Sequence, residues 1–251
     1  MCYDVKTSLK TQLKKAKADG NEEAVRQIEE KLSPILDTPG FHLSGFTHPK
    51  LLLYTQEKPQ VAFWGLIPDW VKERKGVTDV WNKTLNARIE TLAEKASFKN
   101  SAFDYRCIIY VDGFFEHHFY KGKNYPFFIQ RKDKNPMAIA CVWNEWFDSK
   151  NNKSVNTFAM VTTKGNELMS KLHNSPKLKE ARMPYLLLKE EENSWLQNTE
   201  QTIEALQSKV SNFPSKDLDA FPVQKLRGKN YLGNVAEVVE PFEYPELEFI
   251  F

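Results

Sequence analysis

Residues 106–116 read RCIIYVDGFFE. The apolar run CIIYV is typical of a buried strand, and the Asp112-Gly113 pair that follows is typical of a tight bend. Two phenylalanines then lead to Glu116. We therefore predict a strand and a turn that project the Glu116 carboxyl group into a cleft, with the phenylalanines as an apolar wall that raises its pKa.

Short apolar runs of the same kind recur on both sides of this segment. They are LLLYT at 51–55, VAFWGL at 61–66, YPFFIQ at 125–130, MAIACVW at 137–143 and NTFAMVT at 156–162. Clusters of Gly, Pro, Asn, Asp and Lys separate most of them, as expected between strands. With long loops at 68–85 and 90–104 and a last helix at 199–210, the pattern predicts an α+β fold with a strand-rich centre.

Helical periodicity dominates the start of the chain. Apolar residues fall at Val5, Leu9, Leu13 and Ala16, and then at Ala24, Ile28, Leu32 and Ile35, with Asp19-Gly20-Asn21 between the two sets. This spacing predicts two amphipathic helices over 5–36, each too short for a coiled coil. We expect a helical hairpin packed on the body of a single domain that spans 1–251.

Composition limits the classes of function. The chain has 251 residues, 41% of them hydrophobic, and 35 basic residues against 33 acidic ones, so any DNA-binding surface must be a local concentration of charge. The three cysteines, Cys2, Cys107 and Cys141, are too few and too scattered for a disulfide framework or a zinc site. No apolar run is long enough to span a membrane. We expect a cytoplasmic monomer with no metal or organic cofactor and no membrane partner.

Cys2 directly follows Met1. If Met1 is removed, Cys2 carries an α-amine with an ordinary pKa of about 8 and a thiol with one of about 8.5. The amine can condense with an aldehyde to give a reversible imine, and the thiolate can then close a thiazolidine ring on the imine carbon. The same thiolate can instead act as an acyl-transfer nucleophile. The position of Cys2 alone does not distinguish these two uses, and it also fits a cysteine that stands there by chance.

Four further segments accompany the N-terminal MC. They are WGLIPDW at 64–70, NARIET at 86–91, RCIIYVDGFFE at 106–116, and FAMVTTKGNELMSKLH at 158–173 followed by RMP at 182–184. In this order, from Cys2 to about Leu188, the motifs resemble those of the SOS-response-associated peptidase (SRAP) family. The resemblance implies an SRAP-like central sheet or barrel with flanking helices, into which the hairpin is inserted. It also implies covalent shielding of abasic sites in single-stranded DNA.

The sequence departs from the family pattern at four places, one of which is the helical hairpin of 5–36, inserted just behind the N-terminal cysteine. Tyr3-Asp4 follow the cysteine where the family often has Gly-Arg, which removes a basic contact beside the nucleophile. The insertion NSPKLKEA separates His173 from Arg182. His117 stands where a tryptophan commonly follows the acid. These differences affect the expected DNA contacts more than the chemistry.

The resemblance implies a catalytic set within the matched motifs. Cys2 is the expected nucleophile, and Glu116 and His173 are the expected proton-transfer groups. Asn86 can both donate and accept hydrogen bonds, which suits it to hold a sugar oxygen or the Cys2 amine. His117 and His118 are interpreted as structural or DNA-facing.

Three residues are predicted to contact DNA. Arg88 offers a planar guanidinium group for a phosphate, Trp64 a platform for an unstacked base, and Thr162 a hydroxyl group. Glu90 is expected to be an internal partner for a nearby cation.

The sequence thus predicts a protein that binds single-stranded DNA and captures abasic sites through Cys2 as a thiazolidine, with lyase-like chemistry. One alternative is a thiol peptidase with Cys2 as its nucleophile, acting on its own Met1 alone or also on other peptides. Another is a non-covalent reader of modified nucleic acid.

Overall fold

A computed structural model describes residues 2–32, 40–197, 202–208, 210 and 213–247. The strands are β1 Asp4–Lys6, β2 Leu43–Ser44, β3 Lys50–Tyr54, β4 Pro59–Trp64, β5 Asn86–Arg88, β6 Arg106–Val111, β7 Gly113–Tyr120, β8 Lys123–Arg131, β9 Met137–Asp148, β10 Lys153–Lys164, β11 Arg182–Pro184, β12 Leu186–Leu187 and β13 Leu218–Pro222. The helices are α1 Leu9–Ala18, α2 Glu22–Gln27, α3 Arg74–Val80, α4 Ser101–Asp104, α5 Glu167–Leu172, α6 Lys189–Leu196 and α7 Ile203–Ser208.

Five strands close into a barrel in the order β10, β4, β3, β6 and β9. The circle closes because β10 pairs in parallel with β4 on one side and antiparallel with β9 on the other. Strands β5 and β11 also pair with β10, and β12 pairs with β9. Both faces of β6 are buried, which explains why its sequence is an unbroken apolar run. The predicted α+β fold with a strand-rich centre is confirmed.

A second sheet carries the N-terminus. Its strand order is β13-β8-β7-β1-β2, and β1 runs antiparallel to β7, with Asp4 opposite Phe115 and Val5 opposite Phe114. The largest hydrophobic cluster joins this sheet to one face of the barrel and includes Cys2 and Trp64. The pairing of β1 with β7 therefore fixes Cys2 close to the Glu116 segment.

The N-terminal hairpin is present but begins later than predicted. Val5 does not belong to a helix; it lies in β1 and is fully buried. Helix α1 begins after Ser8. The Ser8 backbone is extended, and its hydroxyl oxygen accepts a hydrogen bond from the Thr11 amide. Strand pairing to β7, about 110 residues further along the chain, outweighs the local helical pattern at Val5. Residues 33–36 of the predicted hairpin lie outside the described residues.

Three other boundaries also differ from the sequence predictions. Glu116 does not end a turn but lies in the middle of β7, opposite Phe127 of β8. The predicted loops at 68–85 and 90–104 contain α3 and α4. The last helix covers Ile203–Ser208, and residues 199–201 and 209 of its predicted range lie outside the described residues. In the described part of the chain, every helix is too short or too polar to cross a membrane.

Candidate active site

Cys2 lies at the N-terminal end of β1 and is fully buried. Its thiol donates a weak hydrogen bond to the Asp4 carbonyl oxygen, at 3.5 Å. Burial raises the pKa of the Cys2 thiol well above its ordinary value, and the Glu116 carboxylate raises it further. The thiol is therefore protonated at neutral pH in the chain that carries Met1, and Met1 itself lies outside the described residues.

Asn86 fixes the backbone of Cys2. Its side-chain amide Nδ2 donates to the Cys2 carbonyl oxygen at 2.8 Å, across 84 positions of sequence. The other side-chain atom, Oδ1, is buried and has no hydrogen-bond partner among the described residues. A buried acceptor without a partner costs free energy, so this oxygen is suited to accept a hydrogen bond from a group that forms or binds in the site. Parallel pairing of β5 with β10, with Asn86 opposite Met160, sets its position.

Glu116 and His173 form a buried pair beside Cys2. Glu116 Oε2 lies 3.7 Å from His173 Nδ1, and each side chain is 6% exposed. Burial lowers the pKa of His173, so its imidazole is mainly neutral at pH 7 and can accept a proton. A carboxyl group next to a neutral imidazole is an arrangement suited to moving protons.

Arg182 holds His173 in place. The His173 Nδ1 atom lies 2.9 Å from the Arg182 carbonyl oxygen and 3.2 Å from the Arg182 amide nitrogen. The Arg182 side chain in turn makes a two-pronged ion pair with Glu90, at 2.6 and 2.9 Å. This pair confirms the prediction that Glu90 is an internal partner for a cation.

A cavity of about 320 Å³ opens next to the Glu116–His173 pair. Its lining includes Tyr3, Asp4, Glu116, His173 and Arg227. Cys2 does not line the cavity, but Tyr3, its chain neighbour, does. The sulfur atom is thus buried, and the cavity lining begins at the next residue of the chain. The insertion after His173 contributes Ser175 and Leu178 to the cavity lining.

Two predicted DNA contacts are wrong. Trp64 is 0% exposed; its indole nitrogen donates to the Leu85 carbonyl oxygen and its ring stacks near Phe158, so no face remains for a base. Thr162 is also 0% exposed, and its hydroxyl oxygen accepts from Arg182. Both side chains are core because β4 and β10 are barrel strands.

Arg88 is exposed at the end of β5, two residues after Asn86. It does not line the cavity. Of the two neighbouring histidines, His118 is buried and His117 is half-buried and lines the cavity. The described residues contain no group of three or more His, Cys, Asp or Glu side chains placed to hold a metal ion.

Arg227 is a cavity residue that the sequence did not reveal. It reaches Asp4 across 223 positions. The available signal was indirect: a buried aspartate needs a cation to offset its charge, but the sequence shows neither that Asp4 is buried nor which cation it meets.

Comparison with known proteins places these segments in one family. The family model described as SOS response associated peptidase (SRAP) matches residues 11–229. The chain belongs to the SRAP family. The match begins at Thr11 and therefore does not include Cys2. Within the fold, Asn86 binds the Cys2 carbonyl oxygen, and β1, which follows Cys2, pairs with β7 of the matched region.

Similar proteins cover much of the chain. Abasic site processing protein YoqW of Bacillus subtilis is 36% identical over 164 residues, which are 65% of this chain and 68% of that protein. Abasic site processing protein YedK of Escherichia coli is 28% identical over 183 residues, 72% of this chain and 73% of that protein. A crystal structure of a protein from Bacteroides thetaiotaomicron is 29% identical, with a TM-score of 0.82, over 96% of this chain and 100% of that one.

Proposed function

We propose that this SRAP protein binds single-stranded DNA and captures abasic sites covalently through Cys2 after Met1 is removed. The observation that carries the proposal is the convergence of Asn86, Glu116 and His173, from three separate segments, on Cys2 beside a cavity. The names of the curated relatives support the same substrate.

The proposed reaction has two bond-forming steps. The Cys2 amine attacks the aldehyde carbon of the ring-opened sugar, and loss of one water gives an imine. The thiol sulfur then adds to the imine carbon, its proton passes to the nitrogen, and a thiazolidine ring results. Glu116 and His173 shuttle protons as the sugar ring opens and as water leaves. Asn86 Oδ1 accepts a hydrogen bond from the Cys2 amine.

Burial of Cys2 sets a condition on this reaction. A thiol whose pKa is raised is a poor nucleophile at neutral pH. Loss of Met1 converts the Cys2 amide nitrogen into an amine, and the protonated imine that this amine forms with the aldehyde places a positive charge next to the sulfur, which lowers the thiol pKa. We therefore expect only chains that begin at Cys2 to react.

The direct test uses a single-stranded oligonucleotide with one abasic site. The purified protein should give a band that survives denaturation. An oligonucleotide with a tetrahydrofuran residue, which has no aldehyde, should give none. Salt-sensitive binding without an adduct would instead favour a non-covalent reader. Cleavage of unrelated peptides without an adduct would favour a thiol peptidase.

Glu116→Gln should slow crosslinking about 100-fold, because the amide keeps the shape of the side chain but cannot exchange a proton. The measurement is the single-turnover rate at saturating abasic oligonucleotide. Glu145→Gln, on an exposed position of β9, is the matched control and should react at the parent rate. Equal rates for Glu116→Gln and the parent would remove Glu116 from proton transfer.

Arg88→Gln should weaken DNA binding and reduce the slope of log affinity against log salt by about 0.7, the value for one phosphate contact on a single strand. The reason is that Arg88 is exposed and close in sequence to Asn86. Titrations at several salt concentrations measure the slope. A slope equal to that of the parent would exclude a phosphate contact at Arg88.

A further inference from the structure

The cavity beside the Glu116–His173 pair has an unequal charge distribution. Asp4 and Glu116 contribute carboxylates, whereas Arg227 is the one arginine or lysine among the described residues that line it. A nucleic-acid strand that enters this space brings a negative charge with each phosphate. Arg227 is therefore the permanent cation available inside the cavity to offset it.

Arg227 is held in position before any ligand arrives. Its Nη2 atom donates to both carboxylate oxygens of Asp4, at 3.0 and 3.1 Å, and lies 3.4 Å from the Ser44 hydroxyl oxygen. The guanidinium group also sits over the Phe46 ring, 5.6 Å from its centroid. A side chain fixed in this way loses little conformational entropy on binding.

Asp4 is in turn fixed by a second partner. It is 3% exposed and lies 3.1 Å from His42 Nε2, and His42 Nδ1 lies 2.7 Å from the Tyr231 hydroxyl group. Burial alone would raise the pKa of Asp4, but the His42 hydrogen bond and the Arg227 charge outweigh it, so the pKa lies below its ordinary value. Asp4 therefore stays ionised and keeps its hold on Arg227.

The remaining donors of Arg227 are available to a ligand. Within the described part of the chain, its hydrogen bonds run through Nη2, and the side chain is 56% exposed. Among the described residues none accepts a hydrogen bond from Nε or Nη1, so each of these atoms can donate an N–H to a phosphate oxygen.

We propose that Arg227 binds a backbone phosphate of the DNA strand that occupies the cavity, with Asp4 as its positioning residue. This inference rests on the proposed function, because it takes the ligand of the cavity to be DNA. It assigns this phosphate contact to a residue 225 positions after Cys2. The competing role is a purely structural clip between Arg227 and Asp4.

The test measures binding to a single-stranded oligonucleotide that carries a tetrahydrofuran residue, which cannot form an adduct. Arg227→Gln should weaken binding roughly tenfold, as for loss of a charged hydrogen bond, and reduce the salt slope by about 0.7. Lys229→Gln, which removes the same charge from an exposed position outside the cavity lining, should match the parent. Parent-like affinity and slope in Arg227→Gln would leave Arg227 a structural clip.

Arg227→Lys covers the case in which the glutamine variant does not fold. It keeps the charge but loses the fixed Nε and Nη1 donors of the guanidinium group, so it should bind a few-fold more weakly with the parent salt slope. Unchanged affinity in this variant would overturn the proposal. Thermal unfolding of each variant identifies any loss of folding.

Failure of this inference is separable from failure of the proposed function. If the parent forms no adduct with an abasic oligonucleotide, covalent capture is wrong, whatever Arg227 does on the unreactive one. If the parent forms the adduct and Arg227→Gln binds like the parent, only the Arg227 assignment is wrong.

Discussion

Cys2→Ser should lose the denaturation-resistant adduct completely, down to the level seen with the tetrahydrofuran oligonucleotide. The variant keeps an N-terminal amine after Met1 removal, so it can still form an imine. A serine hydroxyl group is a much weaker nucleophile than a thiol, and the imine reverts with water. Borohydride added during the reaction should therefore trap an adduct of Cys2→Ser that disappears without the reductant.

Cys141→Ala is the matched control for this substitution. Cys141 is another buried cysteine of the same core cluster, but it lies opposite Cys107 on a barrel strand, away from the cavity lining. The control should give the parent yield of stable adduct. A stable adduct in Cys2→Ser would mean that another group closes the ring.

Arg182→Met should lower the free energy of unfolding by about 2 kcal/mol, within the range for hydrogen bonds to charged groups, because the arginine is buried whereas Glu90 and Glu180 are 35% and 39% exposed. The Arg182 side chain is 1% exposed and bonds to Glu90, Glu180 and Thr162. Methionine fills much of the volume but leaves these acceptors without their donor. Denaturant unfolding measures the change.

Arg131→Met is the control for loss of an arginine. Arg131 pairs with the exposed Asp133, and a pair of this kind contributes at most about 1 kcal/mol. Losses of equal size in the two variants would contradict a structural role for the Arg182 network.

The acid dependence of stability gives a second readout for Arg182. Burial would raise the pKa of Glu90, but its hydrogen bonds with Arg182 outweigh this effect, so the pKa is lowered. A carboxyl group with a lowered pKa contributes stability above its ordinary value of about 4.3 and loses it as the pH falls. The stability difference between parent and Arg182→Met should therefore shrink in acid.

The sequence predicted the barrel strands well because their signal is local. Runs such as CIIYV are apolar on both faces, and the structure covers both faces of β6. Val5 was assigned to a helix because its spacing to Leu9 fits one. Its actual partners in β2 and β7 are Leu43 and Phe114, which a local pattern cannot identify.

In the candidate site, too, local sequence patterns identified some residues and misassigned or missed others. The motifs indicated Cys2, Asn86, Glu116 and His173, which the fold brings together around β1 and the cavity. Trp64 was misassigned because an aromatic residue in an apolar run fits a core as well as a binding surface, and only barrel closure decides between them. Contact between Asp4 and Arg227 depends on two segments 223 positions apart.

The most direct measurement is mass spectrometry of the proteolysed adduct. The modified peptide should begin at Cys2, lack Met1, and carry the oligonucleotide remnant with the net loss of one water. An adduct on a lysine side chain, or on a peptide that still begins with Met1, would contradict capture by the Cys2 amine and thiol.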